Sequence, residues 1–234
     1  MNVDDFEVTL PKGDKLLLIF NHQRDLMEKY HYIEEVNVGH KVPSAPYGHG
    51  LEGPGKTWKW LHAGGLDIND RAAQLRLKDF AWRITEEITE ATEALEEKNR
   101  IHYLEELIDA LHFSVELLCL CGISPENFFA MRQDADLLDI LFLEVEGGVD
   151  PTVYLQTRAY DVIEALGKAM NMLKLKPWKT TAMITDMSRF KVTMISFFRL
   201  LIRLLHVSGF NSVSCAEMYL KKNAVNQFRQ RSNY

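Results

Sequence analysis

Residues Glu86 to Leu118 read EEITEATEALEEKNRIHYLEELIDALHFSVELL. The first half is the densest run of carboxylates in the chain, and the second half is among its most apolar stretches. Asn99-Arg100 breaks the run, so the spacing predicts two antiparallel helices joined there. Glu90 stands nine residues before Asn99 and Asp109 nine after Arg100, which brings them roughly level in such a hairpin. Glu87 and Glu90 are i, i+3 neighbours on one face, and so are Glu106 and Asp109. Four carboxylates thus converge between two packed helices. Their repulsion in a low-dielectric site costs several kcal/mol unless a cation offsets it. An all-oxygen set favours a hard divalent ion, Mg²⁺ or Mn²⁺. The competing reading is a pair of solvated helix faces, and for Glu93, Glu96 and Glu97 that reading is preferred. Glu106 and Asp109 are different. Leu104, Leu107, Ile108, Ala110, Leu111, Phe113, Val115, Leu117 and Leu118 surround them, and a central helix does not carry two ionised groups without a partner.

Outward from the hairpin the pattern stays helical. Lys15 to Val36 carries one apolar stripe, and a helix is expected from about Asp70 to Lys98. Gly122 stops the second hairpin helix, and Ser124-Pro125 is expected to open another that runs to about Glu146. Asp150-Pro151 is expected to open a helix to about Leu175, with further helices over Ile184–Val207 and Ser214–Arg229. Between Asn37 and Asn69 lie seven of the 13 glycines and three of the seven prolines, a long loop or flap carrying Trp58 and Trp60. No strand-type alternation persists. The expected class is all-α, about seven helices in a single domain over residues 1–234.

Bulk composition bounds the function. Hydrophobic residues are 47% and charged residues 26%, an ordinary globular balance, and the net charge of −6 argues against general nucleic-acid binding. Three cysteines, two of them in an apolar run, form no disulfide framework. The acidic N-terminus has no apolar leader and no apolar run approaches membrane-spanning length, so a cytoplasmic location without membrane association is expected.

EEITE, fifteen residues, then ELID resembles the EExxE…ExxD signature of the all-α nucleoside triphosphate pyrophosphatases, a group that contains the MazG-like enzymes and the dimeric dUTPases. DALHF, Asp109 to Phe113, continues the likeness to the dimeric dUTPases. At the other end, YLKKNAVNQFRQRSNY (Tyr219–Tyr234) is similar to the C-terminal phosphate-binding motif of dimeric dUTPases and phage dCTP/dUTP pyrophosphatases, with Asn233 where the family has Gly. The resemblance covers about half the chain and lies closest to the phage-type members.

What it implies is hydrolysis of a deoxynucleoside triphosphate, dUTP or dCTP, to monophosphate and pyrophosphate. Glu87, Glu90, Glu106 and Asp109 would hold metal, and Glu86 or Glu87 would orient or deprotonate the attacking water. Lys222, Asn226 and Arg229, spaced to share one helical face, would meet the phosphates, and Tyr234 would close over the nucleotide. Gln23 on the first helix matches the family's base-contacting position. Leu26 stands where an Asn usually follows. His112 and Phe113 read equally as core or as base contacts. Two readings from other classes stay open. One is a di-metal oxidoreductase bundle, invited by His102 and by Asp109 followed at i+3 by His112. The other is a non-catalytic nucleotide-binding helical protein. The resemblance, together with the apolar excess of Ile184–Val207, also implies a homodimer.

Overall fold

The structure is a computed structural model. It describes residues 7–38, 65–129, 135–144, 154–176, 178, 180 and 183–231, with the side chains of 28–38, 154, 230 and 231 left aside. The described residues form seven α-helices and no strand: α1 Lys15–Val38, α2 Arg71–Glu96, α3 Arg100–Leu120, α4 Leu137–Glu144, α5 Tyr154–Met172, α6 Met187–Val207 and α7 Ser212–Arg231. The class is all-α, as the patterning predicts. Most of the Gly/Pro-rich segment, with Trp58 and Trp60, and the Asp150-Pro151 helix start lie outside the described residues.

The hairpin decides the architecture. Asp70 caps α2 by accepting from the Ala73 N–H at 2.8 Å. From there Ala73, Leu77, Phe80, Ala81, Ile84, Ile88, Ala91 and Ala94 turn one stripe inward at three- and four-residue spacing. α2 ends with Lys98 in the left-handed region at φ 60, which reverses the chain, and Asn99 caps α3 by accepting from His102 N. α3 is buried nearly all round, packing on α1, α2, α6 and α7. Each fully buried Leu, Ile or Val there contributes about 1.5–3 kcal/mol relative to exposure, as an upper estimate. Gly122 ends it at φ 65, and Gly65 crosses that end so closely that a Cβ would lie 2.2 Å from Gly122 N.

Beyond α3 the chain departs from the expected continuous helix. Pro125–Phe128 is a single 3-10 turn opened by Ser124 and Asn127, and Phe129 is extended. Phe128 is drawn into the core against the Phe198 ring, centroids 5.1 Å apart, and the next helix is the separate eight-residue α4. Its start is tied to that of α1. Asp14 accepts from Leu17 N and Leu137 N, while Asp136 accepts from Lys15 N, Leu138 N and Asp139 N. That reciprocal capping fixes α1, and with it Gln23, against the body of the protein. The α6 residues Phe190, Met194, Phe197, Phe198, Leu201, Ile202, Leu204 and Leu205 are buried within this chain, leaving Met187 and Val192 exposed. The apolar excess of this helix is therefore largely used inside the monomer. No helix among the described residues is long and apolar enough to cross a membrane.

Candidate active site

Four helices wall one cavity of about 290 Å³. α1 brings Gln23 and Leu26, α2 Arg83 and Glu87, α3 Asp109, His112, Phe113 and Glu116, and α7 Lys222, Asn226 and Arg229. The hairpin register does what the spacing predicts for three of the four carboxylates. Glu87, Glu106 and Asp109 each place an oxygen within 4.8 Å of the others. Glu90 is exposed one turn away and is not in this group, though its charge reaches Glu87. Glu86 is exposed on the outer face and accepts from Trp82 Nε1 at 2.6 Å.

Electrostatics mark the cluster. Burial, a hydrogen bond to Glu106 and the charges of Asp109, Glu106 and Glu90 push the Glu87 carboxyl up to about 9, so it keeps its proton at neutral pH. Burial pushes Asp109 up to about 6, against the opposing pull of Lys222. Lys222 Nζ lies 2.6 Å from Asp109 Oδ2, both side chains less than one-fifth exposed. His102 Nδ1 lies 3.0 Å from Glu106 Oε1. The Glu87 proton and the Lys222 ammonium thus offset part of the carboxylate charge, and the all-oxygen trio fits a hard divalent ion.

One to two turns further along α3 the chemistry changes. His112 is stacked on the Tyr219 ring, centroids 3.8 Å apart, with Nδ1 3.1 Å from Gln23 Oε1 and Nε2 3.2 Å from the Tyr219 carbonyl oxygen. Burial pushes its pKa down to about 3, so it is a neutral imidazole and donates to only one of these oxygens at a time. Tyr219 donates its O–H to Gln23 Oε1 at 2.6 Å, and Gln23 Nε2 donates to Glu116 Oε2 at 2.9 Å. Phe113 lines the cavity below the Arg83 guanidinium, 5.8 Å from its ring centre. Asn226 and Arg229 reach the cavity from α7, and Tyr234 lies outside the described residues. Glu116, Arg83 and Tyr219 are site residues that the motifs did not single out. Glu116 carried a readable signal, being a fourth carboxylate in the apolar half of the hairpin and seven residues from Asp109.

A family model described as dUTPase matches residues 92–234. The matched span holds Glu106, Asp109, His112 and the α7 residues, and begins after Gln23 and Glu87. No curated protein and no solved structure gives a match. With more than half its length under that model, and with the acidic hairpin facing the basic C-terminal helix across one cavity, the chain belongs to the dUTPase family.

Proposed function

We propose that the protein hydrolyses a pyrimidine deoxynucleoside triphosphate to the monophosphate and pyrophosphate, with the chain divided lengthwise along α3 into a phosphate end and a base end. One observation carries this reading. Glu87 and Asp109, with Glu106 grouped beside them, line the same cavity as Lys222, Asn226 and Arg229 of α7, so an acidic cluster and a basic helix meet at one site. Neither group alone suits a triphosphate, because carboxylates repel it and two cations do not balance its charge.

Glu87, Glu106 and Asp109 would hold the divalent ion. When bound, it supplies positive charge for the phosphate oxygens and Lewis acidity toward the attacking water. Of the two adjacent glutamates, Glu87 lines the cavity while Glu86 is exposed and bonded to Trp82, so Glu87 would take the proton from that water. Lys222 and Arg229 neutralise charge developing on the departing phosphates. Asn226, between them on α7, bonds a phosphate or sugar oxygen. The oxidoreductase reading has less support, since His112 is committed to Gln23 and Tyr219, and the cluster of possible metal ligands among the described residues is three carboxylates, which His102 meets only through Glu106 Oε1.

The test is pyrophosphate release from dUTP, dCTP, dATP, dGTP and dTTP in Mg²⁺ and in EDTA. Release of pyrophosphate and monophosphate in equal amounts, from pyrimidine substrates and with Mg²⁺ alone, is expected. Absence of release from all five would leave a binding protein in place of an enzyme.

A further inference from the structure

Two of the three clustered carboxylates stand on α3, and each is held by a nitrogen group. Asp109 meets Lys222 of α7, and Glu106 meets His102, one turn earlier on its own helix, with Nδ1 3.0 Å from Oε1. The two contacts differ in kind. Lys222 lines the cavity and brings a full charge into it, whereas the described lining of the cavity includes neither His102 nor Glu106 Oε1 as a surface for substrate. We propose that His102 is a positioning residue for the metal centre: its Nδ1–H holds Glu106 Oε1, so that Glu106 offers an ion one oxygen and the site takes Mg²⁺ or Mn²⁺ in preference to Ca²⁺. The proposal rests on the reading of the acidic trio as a metal site.

The backbone beneath His102 is fixed. Its N–H donates to Asn99 Oδ1 at 3.2 Å in the cap that opens α3, so the residue that sets the hairpin register also sets the root of the imidazole. At i, i+4 the ring then lies beside Glu106 on one helix face. A solvated pair at this spacing would contribute little. Here the Glu106 side chain is only 10% exposed and stands among two other carboxylates. Glu106 also shares a hydrogen bond with the Glu87 carboxyl, but Glu87 belongs to the ligand set, and that bond gives way when a cation enters. His102 stands outside the set, so its bond persists. A neutral imidazole holds the carboxylate without adding positive charge, and unlike Lys222 it does not compete with the ion. With Oε1 engaged, Glu106 binds through its other oxygen alone. Mg²⁺ takes single oxygens in near-octahedral geometry at about 2.0–2.1 Å, whereas Ca²⁺, at about 2.3–2.6 Å, takes more oxygens and accepts both of one carboxylate. Bidentate binding by Glu106 would require Oε1 to leave His102.

The experiment titrates the nucleotide-free protein with MnCl₂ and with CaCl₂ by calorimetry at pH 8, in the wild type, His102→Leu and His102→Asn, so that no turnover is needed. Leu removes the donor and keeps much of the volume, while the Asn amide nitrogen stands close to the place of Nδ1 and keeps the donor. The wild type is expected to bind Mn²⁺ at least about tenfold more tightly than Ca²⁺. His102→Leu is expected to weaken Mn²⁺ by about tenfold or more and to narrow the preference over Ca²⁺ by at least about threefold, because Ca²⁺ gains the freed oxygen. His102→Asn is expected to stay within about threefold of the wild type for both ions. Equal weakening of both ions in His102→Leu would be a general structural effect and overturns the proposal. Unchanged Mn²⁺ binding in His102→Leu with native circular dichroism overturns it, as does a His102→Asn protein that behaves like His102→Leu. A wild type that prefers Ca²⁺ overturns it whatever the variants do, and one that binds no Mn²⁺ overturns the metal site as well. The expected metal binding with no pyrophosphate release from any triphosphate would uphold the role of His102 and overturn the proposed reaction alone. If His102→Leu does not fold, His102→Ala takes its place.

Discussion

Lys222 has two claims on it, and they pull in opposite directions. In the metal-free protein its ammonium sits 2.6 Å from Asp109 Oδ2, while its place on α7 beside Asn226 and Arg229 assigns it to phosphate. Lys222→Met keeps most of the volume and removes the charge. At an effective dielectric of about 20, a unit pair at that distance interacts by roughly 6 kcal/mol before desolvation. Desolvating two largely buried ions takes back several kcal/mol, leaving a net on the order of 1.5–3 kcal/mol, typical of a charged hydrogen bond. An incoming divalent ion must displace this contact or coexist with its charge. Removing Lys222 should therefore tighten Mg²⁺ binding to the nucleotide-free protein by on the order of 10- to 100-fold. It should also weaken every accepted triphosphate by a similar factor, whatever its base. Calorimetric titration with MgCl₂ at pH 8, where Asp109 is ionised in the wild type, reads the first effect, and KM for the accepted substrates reads the second. If Mg²⁺ binds the variant no more tightly than the wild type, the 2.6 Å contact does not compete with the metal and the electrostatic account of the cluster is wrong.

Asp109→Asn and Glu106→Gln remove ligand charge without volume, so each should lower kcat by at least about 100-fold with far-ultraviolet circular dichroism unchanged; Mg²⁺-dependent turnover near the wild-type rate in either variant would refute the ligand set. The stability of the metal-free protein should depend on pH through Glu87, whose folded pKa is raised to about 9 from an ordinary 4.5. The folded state then binds the extra proton, and stability is lost as pH rises toward 9. Between pH 7 and 8, above the range of Asp109 and His112 and below that of the three buried thiols, the urea midpoint in EDTA should fall, and Glu87→Gln should remove most of the slope. A flat wild-type profile there would mean that Glu87 is ionised. Gly65→Ala forces a side chain into a φ of +86 and places Cβ 2.2 Å from Gly122 N. A loss of roughly 2–4 kcal/mol in urea unfolding is expected, and a loss under about 0.5 kcal/mol, no more than an ordinary surface change, would show that the crossing is not tight.

The acidic hairpin was legible because its two signals are local. The period of the apolar residues sets the faces of α2 and α3, and the break at Asn99 sets their register, so the meeting of Glu87 with Glu106 and Asp109 follows from counting. Glu90 escapes the count because level in register is not the same as facing inward; α2 turns it to solvent one turn from Glu87. The Glu86–Glu87 pair separates for a similar reason, with Trp82 drawing Glu86 outward. The 3-10 turn at Pro125 was illegible as a stop, since its capping residues also begin α-helices and only the burial of Phe128 against Phe198 ends it. The α6 apolar excess misleads in the same way. Sequence shows how much of a helix must be covered but not by what, and here α3, α4 and α5 cover much of it. The network of Gln23, Glu116 and Tyr219 joins residues 93 and 196 positions apart, a relation no local pattern carries.

Central to the proposed function is a divalent metal centre formed by three carboxylates of the hairpin. A crystal of the protein soaked in MnCl₂, with data collected at the manganese edge, tests that claim without reference to turnover. The expected result is an anomalous peak about 2.0–2.2 Å from oxygens of Glu87, Glu106 and Asp109, with Lys222 withdrawn from Asp109. An unchanged 2.6 Å contact between Lys222 and Asp109, with no peak between α2 and α3 at saturating Mn²⁺, would contradict it.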